Sequence, residues 1–317
     1  MRIEHLFVIA FLAGIGTNFY NVAQSSFVPI LVGRPQLVEA NSKLQVSYSA
    51  TQIVGPSAGG ALVQAFTGPL VVLVDAISFL ASAILLWVGV RVAEPENASH
   101  ARRSLWVEIR EGLEWVMRDK LLRVFAVTTA LLSFFTEMMM VLFAIYAVRE
   151  LGLRPALLGL TLTGIGPGAL LGATLAGRIS RRYGLGLTVI AAAALGTLAQ
   201  AVVPLAYGEP EVLVPLLFVG QFLFGVATVI YVVNQVSLRQ AITPDRLQGR
   251  VGASQQLLNG AALPLGSAVG GILGEALGLR TTLAIAVVGL LSGPVLLLFS
   301  PVRTLREPPT TPAQEST

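Results

Sequence analysis

Long apolar runs broken by short charged clusters set the pattern of this chain. Nine runs, at about 6–31, 46–66, 69–92, 121–147, 156–176, 185–206, 212–236, 251–277 and 281–299, are long enough to cross a bilayer as helices. Helix is the expected conformation, because it pairs every backbone N–H and C=O within the run, and an unpaired group in lipid costs several kcal/mol. The first run follows Arg2 and could pass for a leader. Asn18, Asn21 and Gln24 come after it without a small-residue cleavage site, so it is read as a retained span. The stretch "SLWVEIREGLEWVMR" from Ser104 to Arg118 has a different period: Leu105, Ile109, Leu113, Val116 and Met117 recur at helical spacing, with Glu108, Arg110, Glu111, Glu114 and Arg118 on the other face. Ser104 can cap it, and the segment reads as an amphipathic helix lying on the cytoplasmic side and joining two bundles. After Phe299, "SPVRTLREPPTTPAQEST" reads as a disordered tail.

Composition agrees with a membrane protein. Of 317 residues, 54% are hydrophobic and 12% charged, against about 25% charged in a soluble domain. The net charge of +4 reflects loop bias rather than a nucleic-acid surface, because no soluble basic domain is visible. Arginines crowd alternate connections: Arg34 with Lys43; Arg91 to Arg123; Arg178, Arg181 and Arg182; Arg239, Arg246 and Arg250; Arg303 and Arg306. The positive-inside rule makes these cytoplasmic and puts the N-terminus outside and the C-terminus inside. The chain has no cysteine and two histidines, His5 and His100, so no metal or cofactor is expected, and no nucleophile set or nucleotide-binding loop points to an enzyme.

One pattern occurs twice. "GRPQLVEANSKLQVSYSATQIVGPSAGGALV" from Gly33 is matched by "TPDRLQGRVGASQQLLNGAALPLGSAVGGIL" from Thr243, with Leu37 on Leu247 and Gly59 on Gly270 at offsets of 210 and 211. The first copy enters the second run and the later copy the fifth of six runs after Leu121, so an incomplete first repeat lacking roughly ninety residues is expected.

These features resemble the major facilitator superfamily, in which two six-helix halves are joined by a cytoplasmic linker. "PQLVEANS", "IVGPSAGGALV", "LVDAISFLASAILL", "EIREGLEWVMRDKLLR" and "DRLQGRVGA" resemble its enterobactin-exporter branch, the transmembrane secretion effectors. The resemblance implies an all-α helical bundle of about nine transmembrane helices with an incomplete N-terminal half. Residues 1–92 would be a partial N-terminal bundle equivalent to helices 4–6, 93–120 a linker with an amphipathic helix, 121–300 a complete C-terminal six-helix bundle, and 301–317 a disordered cytoplasmic tail. The superfamily's loop signature, G-x-x-x-D-R-x-G-R-R, is matched in part by "GRISRRYGLG": Gly177, Arg182 and Gly184 fit, Arg181 replaces the acid, and Leu185 and Gly186 replace the terminal bases. The resemblance suggests a cytoplasmic gate latch there, with orientation bias as the other reading of the arginines.

Glu137 stands near mid-span with no Lys or Arg at comparable depth, so it should face a cavity, find a partner or stay protonated. Thr129, Ser133, Thr136, Glu137 and Met140 form one polar helix face. By resemblance this seventh helix lines the central cavity and Glu137 couples protons or binds a cation; the alternative is a structural carboxylate. Asn18, Gln24, Gln221, Tyr231 and Asn234 lie on what would be the fourth and tenth helices, as cavity-lining groups or interhelical glue. Asp75, near its helix start, reads as structural. Glycine stripes at 164, 168 and 172 and at 266, 270 and 274 invite close helix contact, and the second is expected to face lipid for want of the second helix.

The expected function is proton-coupled export of a small amphiphilic molecule, drug-like or a siderophore, by alternating access in the bacterial inner membrane. The full-length protein would work as a monomer. A truncated, non-transporting fragment with a structural or partner-binding role is the alternative. An acid without a basic partner favours cationic or neutral cargo, whereas siderophores are often anionic, and the sequence leaves that conflict open.

Overall fold

The computed structural model describes residues 68–89, 105–244 and 247–306, together with scattered positions between 16 and 51. The described elements are all helical: α1 (Gly68–Gly89), α2 (Leu105–Arg118), α3 (Lys120–Arg149), α4 (Pro155–Leu162), α5 (Ile165–Tyr183), α6 (Leu185–Leu205), α7 (Pro210–Ile242), α8 (Gln248–Leu277), α9 (Leu279–Leu290) and α10 (Ser292–Leu298), closed by a 3-10 turn at Pro301–Thr304. Among them six segments are long and apolar enough to cross a membrane: Lys120–Arg149, Leu157–Tyr183, Leu185–Leu205, Pro210–Ile242, Gln248–Leu277 and Leu279–Leu298. These coincide with the last six expected runs. The first two runs lie largely outside the described residues, and α1 falls on the third.

Local chemistry sets the helix ends. Asp119 starts α3 by accepting the Leu122 amide at 2.8 Å, and Pro155 and Pro210 open α4 and α7 where the missing N–H is unneeded. A single glycine separates α5 from α6 and α8 from α9; Gly184 and Gly278 both have φ 87°, with ψ 154° and 156°. That region is essentially glycine-only, so each span reverses direction within one residue. Gly184→Ala is expected to lower stability by about 1–3 kcal/mol, readable as a drop in thermal unfolding midpoint.

The glycine stripes pack the bundle. Side chains added at Gly164, which caps α5, and at Gly168 and Gly172 within it would run into the α7 backbone at Phe218, Phe222 and Val226. The expectation that Gly266, Gly270 and Gly274 of α8 would face lipid is overturned: they seat on α3 at Phe134, Met138 and Leu142. Both stripes therefore hold helices within one half of the repeat, because small residues let any two backbones approach and do not specify which.

Buried side chains form three clusters, the smallest of which joins Val116 of α2 to Leu122, Leu247 and Val251; the other two are larger. One gathers Phe125, Ala176, Leu185, Val189, Leu238 and Val302 towards the Lys120 end of α3. The other gathers Met138, Leu142, Tyr146, Leu213, Leu217 and Leu283 towards the Arg149 end. There Arg280 straps three elements: its Nε donates to the Tyr146 hydroxyl at 3.0 Å and its Nη2 to the Ala206 carbonyl at 2.7 Å. Around both larger clusters runs an exposed apolar band that includes Val141, Leu171, Leu198 and Val219, the surface a bilayer would cover.

Helix α2 docks on the bundle rather than lying free on a membrane. Val116 is fully buried, Glu111 pairs with Arg250 of α8 at 2.5 Å, and Gly112 leaves no room for a side chain against the Arg250 carbonyl and the Ser254 hydroxyl. Leu113 and Met117, expected on the same face, are exposed. We expect Arg250→Ala to free α2 and speed proteolysis of the linker, since the lost pair is only partly solvent-screened.

The tail also differs from expectation. Residues 301–306 are ordered: Val302 is fully buried, and the Leu185 and Gly186 amides donate to the Arg306 and Leu305 carbonyls at 3.2 and 2.8 Å. These bonds satisfy amide groups at the α6 N-terminus that no helical carbonyl can reach. A side chain at Gly186 would strike the Val302 carbonyl. The glycine that departs from the loop signature is therefore what lets the tail dock. Gly186→Arg, which restores the signature base, is expected to expel the turn, visible as new amide exchange at 185–186 and a lower unfolding midpoint.

A mid-span cavity around Glu137

Between the two larger buried clusters lies a cavity of about 220 Å3. Helix α3 contributes Thr129, Ser133, Thr136 and Glu137, α6 contributes Thr197, and α7 contributes Phe224, Thr228 and Tyr231; apolar residues such as Leu132, Ala193, Leu263 and Leu290 make up the rest. The α3 residues share a face because they fall three or four positions apart, one turn of helix. Among the described residues no Lys, Arg or His lines the cavity, and Glu137 enters no ion pair.

Ser267 of α8 donates its hydroxyl to Glu137 Oε1 at 3.1 Å. This contact depends on the neighbouring Gly266, whose Cβ, if present, would lie 3.3 Å from the Glu137 Cβ and overlap the Phe134 carbonyl. The Thr129 and Tyr231 hydroxyls bond each other at 2.9 Å, tying α3 to α7. Thr197 donates to the Ala193 carbonyl at 3.0 Å and approaches that of Leu290 at 3.3 Å. Ser133, Thr136 and Thr228 have no hydrogen-bond partner among the described residues and are open to a ligand.

The structure thus brings Glu137, Ser133, Thr136 and Tyr231 together and leaves other candidates apart. Gln221 is buried elsewhere with an unpartnered Oε1, and Asn234 is spent on the Ile230 carbonyl at 2.8 Å. Gln24 is half-buried and does not line the cavity; Asn18 lies outside the described residues, as does the Asp75 side chain. Met140, expected on the polar face, is exposed. Arg182 is exposed with its guanidinium 5.4 Å over the Tyr183 ring and in no described ion pair; Gly184 makes the turn, and Gly177, within α5, is half-buried. Sequence reasoning missed Thr197, Phe224, Thr228 and Ser267. Each is a single small-polar or aromatic residue in an apolar run, and nothing local marks it as facing a cavity.

At the Lys120 end, Gln240 of α7 is bonded by one residue from each copy of the repeated pattern. Asn41 donates to Gln240 Oε1 at 2.6 Å, and Gln248 donates to the Gln240 and Thr243 carbonyls at 2.6 and 2.9 Å. Val46 packs on the buried cluster there. A family model described as transmembrane secretion effector matches residues 1–315. The chain belongs to that family. It is a transporter of the major facilitator superfamily, a multi-pass membrane protein of a family that moves small molecules across the bilayer and is not one of enzymes.

Relatives of this secretion-effector chain include the multidrug efflux pump Tap of Mycolicibacterium fortuitum, 31% identical over 310 residues, covering 94% of this chain and 73% of that protein. Tap of Mycobacterium tuberculosis is 29% identical over 317 residues, covering 95% and 72%. An uncharacterised MFS-type transporter of Bacillus subtilis, YfiS, is 28% identical over 290 residues, covering 90% and 68%. A bacterial homologue of the iron transporter ferroportin, solved in an outward-facing state, superposes with a TM-score of 0.67 at 19% identity, over 94% of this chain and 74% of that one, and shows the shared fold.

Proposed function

We propose that this transporter exports a small amphiphilic molecule in exchange for protons, by alternating access. Its spans would number nine, residues 1–92 forming a partial N-terminal bundle, 93–120 the linker and 121–300 a complete C-terminal bundle. It would sit in the bacterial inner membrane as a monomer, with the N-terminus outside and the C-terminus inside. The observation that carries this reading is the carboxylate of Glu137, at mid-span in a cavity where no described residue is a cation that could pair it. An ionisable side chain is costly to hold at mid-span, and one that faces a cavity rather than lipid, as Glu137 does, is by default part of the transport path. Its bond to Ser267 crosses from α3 to α8, so protonation changes a contact between two helices and can bias their packing. With that topology Asn41, Gln240 and Gln248 close the cytoplasmic end, as an outward-facing arrangement requires.

The test is transport in proteoliposomes. An imposed pH gradient, acid on the outer side, is expected to drive labelled cargo outwards against its own gradient, and a protonophore is expected to stop it. Accumulation indifferent to the protonophore would remove the coupling.

A further inference from the structure

We propose that the Lys120 end of the bundle carries a two-seat site for the headgroup of a diphosphatidyl lipid of the cardiolipin type, and that the bound lipid holds the tail turn on α6. Three observations carry this. First, five arginines meet there. Arg178, Arg181 and Arg182 lie in the last two turns of α5, and Arg303 and Arg306 lie in the docked residues 301–306. The Leu305 and Arg306 carbonyls accept from the Gly186 and Leu185 amides at 2.8 and 3.2 Å, and the Arg306 Cα lies 3.3 Å from where a Cβ on Gly184 would stand. The tail is thereby seated against the end of α5, which Gly184 closes. Second, all five side chains are exposed, and among the described residues none enters an ion pair. Third, Tyr183, Leu187 and Phe299 are exposed at the same end, Phe299 by 82%, where the spans of α5, α6 and α10 begin or end. Exposed aromatic rings at span ends belong at the headgroup level of a bilayer, which puts the arginines at that depth too.

A guanidinium presents a planar fork of N–H donors that matches two phosphate oxygens. Arg182 stacks on the Tyr183 ring at 5.4 Å, which fixes the plane of its fork and leaves the N–H edge free. The arginines fall into two groups, three on α5 and two on the tail, so a lipid with two phosphates answers both at once. Without an anion the two groups repel, and the tail is held by backbone bonds and by burial of Val302 against that repulsion. A headgroup between them turns the repulsion into a bridge. The site is on the surface of the bundle end, and none of its arginines lines the Glu137 cavity.

The test is hydrogen exchange at the Leu185 and Gly186 amides of the full chain, in nanodiscs of phosphatidylcholine alone, with phosphatidylglycerol, or with cardiolipin at matched charge. These amides open α6, so no helical carbonyl protects them and their exchange reports release of the tail. Exchange is expected to be roughly thirtyfold slower with cardiolipin than in phosphatidylcholine, from two tail arginines at about fivefold each, and the difference should shrink in high salt. Phosphatidylglycerol should protect less, because each headgroup offers one phosphate. The double variant Arg303→Glu with Arg306→Glu should reverse the order: its tail pairs with the α5 arginines in phosphatidylcholine and is driven off by cardiolipin. A tail that served packing alone would show no reversal. Equal exchange in all three membranes overturns the site, and so does an unreversed order in the double variant. Equal protection by phosphatidylglycerol and cardiolipin overturns the two-phosphate bridge. Protection in phosphatidylcholine by inorganic phosphate alone overturns the lipid as the source of the anion.

Discussion

Replacing Glu137 by Gln is expected to reduce gradient-driven efflux to the level of downhill leak, a loss of roughly 5- to 150-fold, the range spanned by typical coupling free energies between sites. The substitution preserves shape, and the Gln carbonyl oxygen can still accept the Ser267 hydroxyl, so the α3–α8 seam at Gly266, Gly270 and Gly274 has no reason to open. What disappears is the carboxylate, and no other carboxylate among the described residues lines the cavity to replace it. The measurement is acid-driven transport in proteoliposomes beside thermal unfolding in detergent. Loss of transport at an unchanged unfolding midpoint is the expected pair. Full transport in the variant would show that the energy enters elsewhere.

A larger structural effect is expected from Gly168→Leu. Its Cβ would overlap the Phe222 carbonyl of α7, and Gly225 of α7 meets the Ile165 carbonyl of α5 in the same way, so the seam is tight from both sides. The obstructing atoms are backbone, which cannot turn aside as a side chain can. The strain should reach or exceed the upper end of the about 1–3 kcal/mol usual for overpacking, enough to shift the protein into aggregated fractions on solubilisation. Gly271→Ala is the control. Nothing lies within 4 Å of a Cβ at Gly271, and its effect should stay within about 0.5 kcal/mol. Size-exclusion yield and unfolding midpoint read both variants. A monodisperse, equally stable Gly168→Leu would mean that α5 and α7 are not packed this closely.

These two sites differ in how far the sequence exposed them. Glu137 was legible because an acid in the middle of a 27-residue apolar run is expensive wherever the helix turns, and that cost belongs to the residue itself. The glycine stripes were legible as close-contact surfaces, but their partners were not. The 266–270–274 stripe was expected against lipid and lies on α3. The tail shows the same division. Its prolines and polar residues indicated disorder from 301, while burial of Val302 depended on a glycine more than a hundred residues away, at 186. Helix α2 was legible as an amphipathic connector, but that Gly112 and Glu111 fit it to α8 was not.

By itself, the sequence determined the number and approximate placement of the six later spans, the family, and an acid at mid-span that a bilayer would not tolerate idle, while the span ends and the single-residue turns at Gly184 and Gly278 came from the structure. What the sequence determined follows from properties each segment carries alone: transfer of its side chains into hydrocarbon and satisfaction of its own backbone. Only the tertiary structure decided that Ser133, Thr136, Thr197, Thr228 and Tyr231 enclose one cavity with Glu137, that Ser267 reaches it, and that the stripes pair α5 with α7 and α8 with α3. The reason is the solvent. In water an apolar face declares itself by hiding, but lipid is as apolar as a neighbouring helix, so hydrophobicity places a span in the membrane without saying which face meets protein. That choice rests on shape, on where small residues let backbones approach and where a hydroxyl finds a partner, and shape exists only once the helices are assembled.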